Sequence, residues 1–225
     1  MRHIDRLPCP DILARKQAEW QRKYEEKLAT HPQARPDSSK YAHKDVREQL
    51  WAMSHGKCFY CESPLTDTPK EVDHLVEVSV DASKAYEWGN LYLACPNCND
   101  KAPANVIPVT AALDPCRDSD EEIQANITFE DEVIRAVPGS VKGLNTIQKY
   151  RLNTELLDSK RAKWLNRIAK VIINIQDNLI KEGRDRCTAE EMHRLQLFMQ
   201  PDSPYSLMST IYINKIKLLS YLCAH

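Results

Sequence analysis

Glycine is scarce in this chain, with 5 in 225 residues. Neither G-x-x-x-x-G-K-[ST] nor G-x-G-x-x-G occurs, which removes two common ways for a glycine-rich turn to cradle nucleotide phosphates. No run of 18 apolar residues is present, so no membrane-spanning helix is expected. Met1-Arg2-His3-Ile4-Asp5-Arg6 is not followed by the apolar stretch that drives export, and a cytoplasmic location is the default expectation. An excess of either charge is also missing: 31 basic and 32 acidic residues give a net charge of −1. A protein that grips nucleic acid unaided usually carries a basic excess. Here either the cations are clustered locally or a partner supplies much of the grip. Internal repeats and low-complexity tracts are lacking as well. Hydrophobic residues at 42% and charged residues at 28% fit an ordinary globular composition, long enough for one core-forming domain with additions or for two small ones.

What the chain does have is 8 cysteines. In a reducing compartment, paired cysteines are read first as metal ligands. Cys58-Phe59-Tyr60-Cys61 and Cys95-Pro96-Asn97-Cys98 are two C-x-x-C knuckles, with 33 residues between Cys61 and Cys95. Each knuckle can bring two thiolates to one ion. Together they complete a tetrahedral S4 shell, which suits structural Zn²⁺ at Zn–S distances near ~2.3 Å. A redox pair would need a surrounding βαβ pattern, which is absent. Cys9, Cys116, Cys187 and Cys223 are scattered and read as ordinary buried thiols. A closed S4 shell has no open coordination position, so any chemistry must come from elsewhere, and the long segment between the knuckles is the place to look.

That segment contains Glu71-Val72-Asp73-His74, then Glu87-Trp88-Gly89-Asn90-Leu91-Tyr92-Leu93-Ala94 leading into Cys95. A strand ending in Asp-His sets a carboxylate and an imidazole side by side on a rigid edge. The imidazole of His74 can act as a general base near neutral pH. The carboxylate of Asp73 is a hard oxygen ligand suited to Mg²⁺. Asn99 directly follows a zinc ligand and offers a second hard oxygen. Two protein ligands suffice for Mg²⁺, which keeps waters and takes phosphate oxygens from its substrate. Singly these signals are bland, because an Asp-His pair is commonly structural. Their order inside a zinc clamp gives them weight.

The string Cys58-x-x-Cys61, Asp73-His74, Asn90, Cys95-x-x-Cys98-Asn99 resembles the ββα-metal fold of HNH endonucleases. The resemblance implies that His74 is the general base and that Asn90 holds the loop orienting it. It implies that Asp73 and Asn99 bind the catalytic Mg²⁺ or Mn²⁺. The last letter is Asn rather than His, an H-N-N variant. Further segments are similar to PtuB-like HNH proteins of Septu and some retron anti-phage systems. These are Leu113-Asp114-Pro115-Cys116, Ile127-Thr128-Phe129-Glu130, Gly143-Leu144-Asn145-Thr146-Ile147, and Leu152-Asn153 followed by Leu156 and Arg161. That resemblance implies a PtuA-like ATPase partner, with a retron reverse transcriptase and its nucleic acid as a further candidate assembly.

Around this module the pattern is helical. Helices are expected over 10–29, 44–53, 153–181, 189–199 and 204–222, with a linker at 31–42 and irregular chain at 103–126. A hairpin is expected across Glu130-Asp131-Glu132, and a short helix opening at Asn145 or Thr146. The helix at 10–29 reads as a packing helix or as an arm for a partner. The fold class is α+β: a ββα-metal module with a four-cysteine zinc clamp, embedded in a mostly helical chain. The expected division is an N-terminal helix and linker (1–42), a nuclease module with zinc knuckles (43–115), and a hairpin and helical region (116–225). Among the nearby cations Lys142, Lys149, Arg151, Lys160, Arg161, Lys163 and Arg167, most read as solvated helix faces and the rest as a phosphate-contacting stripe. Lys101, two residues from Asn99, is the leading candidate for nucleic-acid binding. The expected function is hydrolysis of nucleic-acid phosphodiester bonds, in DNA or in an RNA such as a tRNA. A non-catalytic zinc module that docks nucleic acid or protein is the rival, and it would have no need of Asp73-His74.

Overall fold

The computed structural model describes residues 1–66, 68 and 70–216. Helix α1 (Asp11–Thr30) opens after Pro10 and is followed by a single turn, α2 (Ser38–Tyr41), and by α3 (Lys44–Met53). Val46, Leu50 and Met53 bury one face of α3, as their helical spacing requires. Gly56 then turns the chain at φ 72°, and a Cβ there would meet the Trp51 ring at 2.6 Å. Strands β1 (Glu71–His74) and β2 (Leu91–Ala94) pair antiparallel, with Asp73 opposite Tyr92 and His74 opposite Leu91. The one-turn helix α4 (Pro96–Asn99) follows β2 directly, with proline at its first position, where no intrahelical N–H is required. These three elements form the ββα unit.

The segment expected to be irregular contains α5 (Asp120–Asn126). Its signal is a cap rather than an apolar period. The Ser119 hydroxyl accepts from the Glu122 N–H, and three acidic residues fill the first turn, which suits the positive end of the helix dipole. Strands β3 (Ile127–Glu130) and β4 (Val133–Ala136) form the hairpin. Helix α6 (Val141–Lys149) begins earlier than Asn145, capped by Ser140. Gly143 hid this start. A Cβ at that position would lie 1.9 Å from the Asn126 carbonyl oxygen, so the helix gives up propensity there to approach the hairpin.

The longest element is α7 (Glu155–Glu182), closed by Gly183 at φ 61°. Its buried stripe is Leu157, Arg161, Leu165, Ile168, Ile172 and Ile175, whereas Leu156 is 54% exposed. Helix α8 (Ala189–Leu197) opens with a reciprocal Thr188–Glu191 capping box. Helix α9 (Ser206–Lys215) follows, and the part of that expected helix beyond residue 216 lies outside the described residues, as does Cys223. Cys9, Cys116 and Cys187, expected to be buried, are half-buried. One contiguous cluster of buried side chains runs from Met1 and Leu13 through the ββα unit to Ile213. No helix among the described residues is long and apolar enough to cross a membrane.

Candidate active site and metal centre

The cysteine cluster is held by the backbone before any ion is considered. In the first knuckle the Cys58 N–H donates to the Ser63 carbonyl and the Glu62 N–H to the Cys58 carbonyl. The Phe59 N–H donates to the Leu93 carbonyl, which fixes this knuckle to β2. The second knuckle starts where β2 ends, so Cys95 caps α4 and Cys98 lies inside it. The four Sγ atoms all lie within 4.8 Å of one another, and Cys61 and Cys95 are 3.8 Å apart. A tetrahedron with Zn–S near ~2.3 Å has edges of about 3.8 Å, so the donors fit zinc in type and spacing. Burial pushes the Cys58 and Cys98 thiols well above the ordinary range. Four buried thiolates are compatible only around a cation, and the cluster is a zinc-type site in chemistry and shape.

Asp73 and His74 occupy the end of β1. Asp73 is buried, and its carboxylate accepts from the Tyr60 hydroxyl at 2.6 Å and from the Lys101 ammonium at 2.7 and 2.8 Å. Tyr60 lies inside the first knuckle and is sandwiched between Tyr150 and Tyr92, with ring centroids at 4.1 and 6.0 Å. It links the cysteine cluster to the carboxylate mechanically. Burial pushes the Asp73 carboxyl above its usual value, with Lys101 and Tyr60 opposing the shift.

His74 donates from Nε2 to the Ala85 carbonyl at 2.8 Å. A carbonyl can only accept, so this bond sets the tautomer and leaves Nδ1 with a lone pair. Burial holds the imidazole pKa below its ordinary value, which favours the neutral ring. The Tyr41 ring packs edge-on against the imidazole, with centroids 4.5 Å apart.

Asn90 is buried and organises the loop between the strands. Its Oδ1 accepts from the Val76 N–H at 2.7 Å, and its Nδ2 donates to the Val76 and Lys84 carbonyls at 3.0 and 3.1 Å. Lys84 is the residue before Ala85, so Asn90 holds the backbone on which His74 rests. Helix α1 braces the same loop from outside: Gln21 donates to the Ala82 carbonyl, and Trp20 and Tyr24 pack against Tyr86.

Asn99 donates from Nδ2 to Glu71 at 2.6 Å, which turns its Oδ1 away from that contact. Glu71 and Asp73 share one face of β1, being two residues apart. Lys101 departs from the sequence expectation. Its side chain is only 5% exposed, and its ammonium donates to both Asp73 oxygens and to the carbonyls of His74 and Leu75. It faces the end of β1 rather than the surface where a phosphate would meet it. A carboxylate offers about four lone-pair sites. Lys101 takes one on each oxygen and Tyr60 one on Oδ2, which leaves one on Oδ1. With the Asn99 Oδ1, the hard oxygens suited to a divalent ion bound by few protein ligands are present.

Four of the other candidate cations are also engaged, Arg161 among them through Asp158. Lys149 is fully buried against Glu77 and the Ala102 carbonyl, Lys142 pairs with Asp118 and Glu122, and Arg151 pairs with Asp100. Sequence reasoning missed Tyr60, Tyr41, Glu71 and the Ala85 carbonyl. Tyr60 sits between the two cysteines of its knuckle, where the C-x-x-C spacing assigns no role, and the other contacts form only when distant segments meet.

Residues 58–104 match the family model described as HNH endonuclease. The chain carries an HNH domain. Two curated relatives extend the likeness beyond that HNH domain, both named Septu protein PtuB. The protein from Bacillus mycoides (strain KBAB4) is 27% identical, over 62% of this chain and 57% of its own length. The protein from Bacillus thuringiensis is 24% identical, over 72% of this chain and 65% of its own. The alignments thus span less than two thirds of either relative. One of the PtuB-like segments noted in the sequence meets the HNH domain directly, through Asp114, and further bonds within and between these segments lie beyond it. Tyr92 donates to Asp114, the Leu113 N–H donates to Thr146, and Arg161 donates to the Leu152 carbonyl.

Proposed function

We propose that this chain is a metal-dependent HNH endonuclease that hydrolyses nucleic-acid phosphodiester bonds. The observation that carries the reading is the fixed tautomer of His74. With Nε2–H held by the Ala85 carbonyl, Nδ1 is poised to take a proton from an attacking water. Asn90 is a positioning residue, because it grips Lys84 and thereby the acceptor of the His74 bond. Asp73 and Asn99 would hold Mg²⁺ or Mn²⁺. When bound, such an ion supplies Lewis-acid stabilisation of the charge that develops on the scissile phosphate and its leaving oxygen. Tyr60 and Lys101 keep the Asp73 carboxylate aimed. The cysteine cluster, filled by Zn²⁺, sets the position of Asn99, the residue next to Cys98.

His74→Ala tests this directly. Loss of a general base costs ~10²–10⁴-fold in rate. The expected result is that loss in cleavage of DNA and RNA substrates, with zinc content and circular dichroism unchanged. Cleavage at the wild-type rate would overturn the assignment and favour a non-catalytic zinc module.

The likeness to the two PtuB proteins, with the net charge of −1, supports a place in a Septu-type anti-phage complex. A PtuA-like ATPase would then be the partner. Both relatives carry the Septu name and neither name points to a retron. Co-expression with a PtuA-like ATPase should give a complex stable through gel filtration. Separate elution of the two chains at micromolar concentration would refute the partnership.

A further inference from the structure

The chain's near-neutral total hides a segment of one sign. Between Asp158 and Asp177 helix α7 has no acidic residue and five cations: Lys160, Arg161, Lys163, Arg167 and Lys170. Arg161 points inward, is 1% exposed and is bonded to Asp158 and the Leu152 carbonyl. The other four, at ~100° per residue, fall within an arc of about 80° on one face of the helix. No carboxylate pairs with any of these four among the described residues. That sets them apart from Lys142, Lys149 and Arg151, each of which has a carboxylate partner.

This face is a wall of a groove. Lys160, Lys163, Trp164 and Arg167 line a cavity of about 400 Å³ together with Thr68. The Arg167 guanidinium lies 5.4 Å from the centre of the Trp164 ring. Thr68 also lines a second cavity, of about 620 Å³, with Arg47, Trp51, Lys70 and the Lys44–Glu48 ion pair, which leaves Arg47 and Lys70 as its cations without a carboxylate partner among the described residues. There the Lys70 ammonium sits 4.0 Å from the centre of the Trp51 ring. Lys70 immediately precedes Glu71, which accepts from Asn99. A line of cations therefore leads from α7 past Thr68 to Lys70 at the start of β1, the strand whose far end bears Asp73 and His74.

We propose that this line is the phosphate track of the protein: it binds the sugar–phosphate backbone of the nucleic acid flanking the cleaved bond. The proposal rests on the nuclease reading above and names the surface that delivers the substrate. Lys160 to Lys170 spans about 15 Å along the helix axis. That matches the axial length of about four phosphates of one strand, at ~3.4 Å each. Flexible cations on an exposed helix face contact phosphates without reading base edges, so the grip is independent of sequence. It also resolves how a chain of net charge −1 can hold a polyanion, since the cations are concentrated on one face.

The test is fluorescence anisotropy of the full-length, zinc-loaded His74→Ala protein with random-sequence duplex and single-stranded oligonucleotides, from 50 to 200 mM NaCl. Each phosphate contact contributes about 0.7–0.9 to the slope of log K against log salt. In that background, Lys163→Gln, Arg167→Gln and Lys170→Gln together should reduce the slope by about 2–3. A matching triple on α1, Lys16→Gln, Arg22→Gln and Lys23→Gln, should leave it unchanged. Equal slopes for the α7 triple and its parent would overturn the track. Equal losses for both triples, or no measurable binding at 50 mM salt, would overturn it as well. Binding of polyglutamate in place of oligonucleotides would assign the face to an acidic protein and also overturn it. Failure of the nuclease reading is distinct, since it shows as undiminished cleavage by His74→Ala whatever the salt slope.

Discussion

Lys101→Met separates two accounts of the residue beside the site. The Lys101–Asp73 pair is 5% and 6% exposed, with its shortest contact at 2.7 Å. At an effective dielectric constant of ~20 that distance corresponds to a gross attraction of about 6 kcal/mol. Desolvation of the two charges offsets much of this. What remains on removing one partner is the cost of stranding the other, about 3–5 kcal/mol for a buried pair. Asp73 keeps the Tyr60 hydroxyl as a donor and can relieve part of its charge by taking up a proton, so the low end, about 3 kcal/mol, is expected. For a chain of this size, 1 kcal/mol moves Tm by about 2–4 °C, giving a fall of about 6–12 °C. Thermal and urea unfolding of the zinc-loaded protein, followed by tryptophan fluorescence, measures this. Adding Asp73→Asn to Lys101→Met removes the stranded charge and should recover at least half of the loss, a non-additivity characteristic of residues in contact. If Lys101→Met instead stayed within about 0.5 kcal/mol of wild type and weakened oligonucleotide binding, the ammonium would be meeting phosphates. The ion pair would then have no structural role.

The remaining expectations concern the metals and the loop. Elemental analysis should find one zinc per chain, and Cys95→Ser should give insoluble protein, because a structural zinc contributes ~10–16 kcal/mol that is folding free energy; soluble, folded Cys95→Ser protein would count against the clamp. Asn99→Ala should slow cleavage, with partial recovery at higher Mg²⁺ or Mn²⁺, since a ligand and not a base is lost; a defect insensitive to metal concentration would assign Asn99 another role. Asn90→Ala should fall between Asn99→Ala and His74→Ala in cleavage rate. It should also increase amide exchange at Val76, whose N–H is held by Asn90 at 2.7 Å; unchanged exchange would show that the loop does not depend on this side chain.

The sequence by itself determined the elements whose cause is local. The spacing of Val46, Leu50 and Met53 set α3, and the long apolar period with Gly183 set α7. Two knuckles with an Asp-His strand between them located the ββα unit and its cysteine cluster. These are readable because a side chain's helical or strand period, and the reach of a C-x-x-C turn, depend only on neighbours in the chain. Helix α5 and the start of α6 were missed although their caps are local, because α5 lacks the apolar period by which the other helices were read and Gly143 interrupts it at the start of α6. Their signals are the caps at Ser119 and Ser140, and Gly143 is explained only by the Asn126 carbonyl packed against it.

The tertiary structure alone decided which charged groups are available. Lys101, Lys149 and Arg161 look like surface cations in the sequence, yet each is buried with a carboxylate partner 3, 28 or 72 positions away. Lys160, Lys163, Arg167 and Lys170 share their helix with Arg161, and only the direction in which α7 packs distinguishes them from it. The tautomer of His74 likewise depends on the Ala85 carbonyl, which lies across a loop held by Asn90 and braced by α1. Coulomb energy and hydrogen bonding depend on distance and solvent exposure, and the linear order of residues specifies neither until the chain has folded.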